Sequence, residues 1–116
     1  MIIKFNFVYS DLSSNETIYG TLKITQLEGV MTPIYDVIIN SENEEVDTTA
    51  LFNFALQQYV ESRIFELFSQ SRNLNLFYTR EDYQNIISRE APSFVVDRVL
   101  ENMTSLIEDV EVRQAS

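Results

Sequence analysis

The sequence predicts an α+β fold: an antiparallel sheet of three strands, with room for a fourth, followed by three helices packed on one face. Two observations lead to it. Period-two alternation of apolar residues runs through the stretch before Asn40, and apolar spacings of three and four dominate after Thr49. A third observation sets the scale. With 116 residues, 45% of them hydrophobic and 22% charged, the chain suits one core and one domain over 1–116, with a frayed tail at about 111–116.

Residues 2–9 alternate, with Ile3, Phe5, Phe7 and Tyr9 on one face and Ile2, Lys4, Asn6 and Val8 on the other. Ser10 to Glu16 is rich in Ser, Asn and Asp and reads as a hairpin loop longer than the two-residue kind. A second strand follows over 17–26. Ile18, Leu22 and Ile24 share its inward parity, and a Thr-rich face looks to solvent. Gly20 falls on the inward parity, which suggests a bulge or a large aromatic of the first strand packed over the gap. Glu28-Gly29 marks a turn. The run Ile34 to Asn40, preceded by Pro33, carries large residues on both faces, pointing to a central strand or to an outer face that something covers.

Asp47 or Thr48 is suited to cap a helix from Ala50 to about Ser71. Its main stripe is Phe52, Leu56, Tyr59, Val60, Ile64, Leu67 and Phe68. A weaker stripe of Leu51, Phe54, Gln58 and Phe65 lies nearly opposite, and both sides of this helix want cover. Leu74, Leu76 and Tyr78 alternate and would suit a short strand; residues 110–113 are the other place for a fourth. Thr79-Arg80-Glu81-Asp82 is an approximate capping box, with Tyr78 and Tyr83 at the staple positions, and starts a short helix to about Arg89. After the break at Glu90-Ala91-Pro92-Ser93, a last helix runs from Ser93 to about Asp109. Val96, Val99, Leu100, Met103, Leu106, Ile107 and Val110 form its core stripe.

Composition excludes much chemistry. Cysteine and histidine are both absent, which removes disulfides, thiolate nucleophiles, histidine bases and the commonest metal ligands. The two glycines are isolated, so no phosphate-cradling loop can form. The acids Glu42, Glu44, Glu45 and Asp47 lack the order of a calcium-binding loop and read as a solvated approach to a helix N-terminus. Eight Phe and six Tyr read as core; a base-stacking platform would need more cations beside it than Lys4 and Lys23 supply. No cofactor is expected.

Eighteen acidic residues against eight basic ones give a net charge of -10, which disfavours direct nucleic-acid and membrane contact. The N-terminal apolar run is interrupted by Asn6 and Ser10 before it could act as a signal peptide, so a cytoplasmic location is expected. The resulting expectation is a noncatalytic acidic module for protein–protein interaction, an accessory or inhibitor protein that self-associates, with a protein partner offering a basic surface. A structural subunit and a small enzyme relying on carboxylates, Tyr and Arg are the alternatives. The candidate contact residues are Leu51, Phe54, Gln58 and Phe65 on the second helical stripe, with the acids Glu42, Glu44, Glu45, Asp47, Glu101, Glu108 and Asp109.

Overall fold

The computed structural model describes residues 1–11, 16–40, 47–76 and 78–104. Its architecture is α+β, an antiparallel three-stranded sheet followed by three helices. The chain divides into two compact units, Met1–Gln58 and a second beginning at Tyr59, with the division falling inside the first helix rather than in a loop.

The sheet unit holds β1 (Ile2–Asp11), β2 (Glu16–Thr25) and β3 (Ile34–Ile39) in the order β1-β2-β3. Pairing runs from Ile2↔Thr25 to Asp11↔Glu16, so both hairpin strands extend past the expected loop boundaries. The alternation read from β1 and β2 places the faces correctly: Phe7, Ile18, Leu22 and Ile24 are buried, while Ile2, Lys4, Val8 and Tyr19 are exposed. Gly20 stands opposite Phe7. A Cβ at Gly20 would lie 2.5 Å from the ring tip of Phe7, so the glycine is the recess that admits the aromatic.

Gly29 adopts φ 79° and Val30 N–H donates to Leu27 O at 3.2 Å, a type II turn with glycine at the position that needs positive φ. β3 starts directly after Pro33. Among the described residues it is an edge strand, and β2 is the central one. The expectation of a central strand is therefore corrected. Ile34 and Ile38, on the outward parity, are exposed rather than covered, because their side chains stand on the sheet face away from the helix in this unit.

Helix α1 spans Thr48–Asn73. Asp47 caps it, its Oδ1 accepting from Thr49 N–H at 3.0 Å and Ala50 N–H at 3.2 Å. Its first turns lie on the inner sheet face: Phe54 meets Phe7 and Tyr9 edge-on, with centroids 6.4 and 5.1 Å away, and Phe52 meets Tyr35 at 5.7 Å. The helix ends in a Schellman-type turn. Asn75 takes φ 55° and Leu76 N–H donates to Ser71 O at 2.8 Å. This left-handed turn replaces the strand suggested for 73–78, among the described residues of that stretch. The other candidate strand, 110–113, lies outside the described residues.

In the second unit, α2 (Arg80–Ile87) starts with the expected capping box. Asp82 N–H donates to Thr79 Oγ1 and Thr79 N–H to Asp82 Oδ2, with Tyr78 and Tyr83 stapled at 5.7 Å. Helix α3 is described over Ser93–Asn102, with Pro92 as its N-cap and Val95, Val96, Val99 and Leu100 buried.

Candidate interaction surface

Cross-strand register assembles the outer face of the sheet row by row. Ile2, Thr25 and Ile34 form one row, Lys4, Lys23 and Asp36 the next, then Asn6, Thr21 and Ile38, and finally Val8 beside Tyr19. Thr21 Oγ1 donates to Asn6 Oδ1 at 2.9 Å, which fixes the middle of the third row. Asn40 closes the β2–β3 ladder, donating its N–H to Tyr19 O at 3.2 Å and accepting Tyr19 N–H on Oδ1 at 3.1 Å.

Large apolar side chains remain uncovered on this face. Val8 is 53% exposed, Tyr19 57% and Ile38 60%, and they gather at one end of the sheet. A shallow depression of about 440 Å³ lies there, lined by Asn6, Val8, Tyr19, Thr21 and Ile38 among others. Beside it stand Lys4 and Lys23, the only lysines in the chain, directly opposite each other in the register. A protein with ten excess negative charges thus keeps both lysines next to its exposed apolar sheet residues.

The residues singled out on the second helical stripe do not form one surface. Leu51 is 1% exposed, and Phe54 is half-buried against Phe7 and Tyr9, so both are used within the sheet unit. Gln58 and Phe65 are exposed, Phe65 at 50%. Azimuth on a helical wheel identified the stripe but could not show that the sheet's aromatics would meet Phe54. Among the acids, Asp47 is exposed and occupied as a helix cap, and Glu101 is exposed on α3. Glu42, Glu44, Glu45, Glu108 and Asp109 lie outside the described residues.

Sequence reasoning passed over a buried acid. Glu90, read only as part of a helix break, is 8% exposed in the α2–α3 turn. Its Oε2 accepts from Tyr59 Oη at 2.7 Å and from Arg63 Nε at 3.3 Å, both on α1. Arg63 also reaches Glu66 at 3.5 Å. Burial, then the hydrogen bond to Glu90 and its negative charge, hold the Tyr59 phenol well above the usual tyrosine range. The set holds the residue types named for the enzyme alternative, carboxylate, Tyr and Arg, at positions the sequence did not single out. Its Glu90 oxygen is occupied by two donors, which makes it a clasp between α1 and the α2–α3 turn. The i, i+4 spacing of Tyr59 and Arg63 was the available signal, but nothing in the sequence names the acid they share.

Among the described residues no group of three or more acidic side chains could hold a metal ion, and no helix is long and apolar enough to cross a membrane. Comparison with known protein families, with curated proteins and with solved structures gives no match to this chain.

Proposed function

We propose that the protein is a noncatalytic interaction module that docks a protein partner on the outer face of its sheet. The observation that carries this reading is the exposed group Val8, Tyr19 and Ile38 around a shallow depression. Tyrosine flanked by branched aliphatics offers contact area at low entropic cost, as anchor residues of interfaces do. A basic partner surface suits the acidic remainder of the chain, whereas carboxylates on the partner suit the docking face, where Lys4 and Lys23 stand. The excess negative charge disfavours nucleic acid as the partner.

The test compares the wild-type chain with a Val8→Ser/Tyr19→Ser variant, both immobilised and exposed to lysate from the source cells. Both side chains are largely solvent-exposed, so the variant keeps the wild-type circular dichroism spectrum. A protein retained by the wild type and lost by the variant supports the reading, and its release at raised salt supports the role of the lysines. Identical sets retained by both chains would sink it.

A further inference from the structure

The free edge of β3 leads to an inference beyond a partner on the outer face. In the β2–β3 ladder, Asn40 donates to Tyr19, so the alternation of an antiparallel pair turns Ile38 N–H toward β2 and the N–H and C=O groups of Val37 and Ile39 away from it. Those groups bond nothing among the described residues, and no further strand lies beyond β3 there. Natural edges of this kind are blunted with charged side chains, lysine above all, with proline or with a bulge. Between Ile34 and Ile39 there is no lysine, proline or bulge; Asp36 is the one charge, and Pro33 stands just outside the strand. The opposite edge strand, β1, carries Lys4.

We propose that β3 pairs antiparallel with β3 of a second copy of this chain, about a two-fold axis at Ile38. Centring there sets Val37 of each copy against Ile39 of the other, and the two pairs use every one of the outward-facing Val37 and Ile39 groups. Ile38 meets Ile38 on the outer face, and Asp36 meets Asn40. Centring on Asp36 would instead oppose two carboxylates, and centring on Val37 would set Asp36 against Ile38.

Two features beside the edge fit this occupant. Ile38, 60% exposed, belongs to the Val8/Tyr19/Ile38 group, so pairing joins the exposed groups of both copies into one strip across the axis. On the inner face, a cleft of about 240 Å³ is lined by Val37, Ile39, Thr48, Leu51 and Phe52. The same register brings Val37 and Ile39 of the second copy to stand alongside its two strand residues, shielding the opening from water.

The experiment is a native-mass measurement on purified chain over a concentration series, with Ile38→Asp and Ile38→Lys variants alone and mixed. The expected result is twice the 13.5 kDa chain mass for the wild type, chain mass for each variant alone, and a heterodimer when the variants are mixed, because among antiparallel β3 pairings only the proposed register places position 38 against itself. Unchanged circular dichroism of the variants shows that the loss is not unfolding. A monomeric wild type, variants that still form homodimers, or a mixture that does not pair would each overturn the proposal. These outcomes are independent of partner capture: a monomer that retains a partner through Val8 and Tyr19 removes the dimer and leaves the docking face standing.

Discussion

The interior of the sheet unit and the interior of the helical unit rest on different physics. Around the sheet, the buried side chains Phe7, Ile18, Leu22, Ile24 and Leu51 are all apolar, and specificity comes from shape: a ring in the recess of a glycine, and another ring laid across it from α1. In the helical unit the buried acid Glu90 accepts from both Tyr59 Oη and Arg63 Nε. There, specificity comes from an acceptor and the donors that must find it. The contrast teaches that shape tolerates no added volume, whereas a polar clasp tolerates volume but not the loss of one partner.

The largest break expected is at the recess. Gly20→Val places two methyl groups and a Cβ where Phe7 sits, at a cost of ~3 kcal/mol read from chemical denaturation. Adding Phe7→Ala to Gly20→Val recovers part of the loss, and a strictly additive double variant would show that the ring and the recess are not coupled. Next comes the clasp. Glu90→Ala removes the acceptor that Tyr59 Oη and Arg63 Nε share and costs ~2 kcal/mol, moderated because Arg63 stays partly hydrated; Glu90→Gln, which keeps an acceptor, costs less. Equal losses for Ala and Gln would count against the hydrogen bond as the cause.

Alkaline pH gives the smallest effect and sharpens the comparison. Burial pushes Tyr35 in the sheet unit and Tyr83 in the helical unit up to about 12, and Tyr59 is raised as well. In the unfolded chain these phenols ionise near pH 10, so the folded state holds protons that the unfolded state has lost. The contribution of Tyr35 and Tyr83 is fully present below pH 10 and disappears as pH rises from about 10 to about 12. Tyr83→Phe removes a buried hydroxyl that has no hydrogen-bond partner among the described residues, so it leaves neutral stability unchanged or slightly higher and flattens the alkaline loss. An unchanged alkaline slope in that variant would contradict the assignment.

How far the sequence carried can be judged residue by residue. Strand parity, the aromatic over Gly20, the Asp47 cap and the Thr79 box were legible because each depends on neighbours in sequence or on one cross-strand partner. β3 was misread because a run with apolar residues on both faces looks the same whether the strand is central or stands at an uncovered edge. Leu74 and Leu76 alternate like a strand, yet the left-handed Asn75 between them belongs to a helix end. The outer-face group was hidden for a related reason. Val8, Tyr19 and Ile38 come from three different strands, and only the register gathers them.

The placement of both lysines has a practical side. Lys4 and Lys23 stand together on the sheet, so ester-activated dyes, amine-coupled sensor chips and lysine-directed cross-linkers share one target region among the side chains. A chip coupled through these amines would bury Val8 and Tyr19 against its matrix and read a competent surface as inert. Capture through the opposite chemistry, at carboxylates, leaves that face open, and lysine reactivity itself becomes a footprint of whatever settles on the sheet.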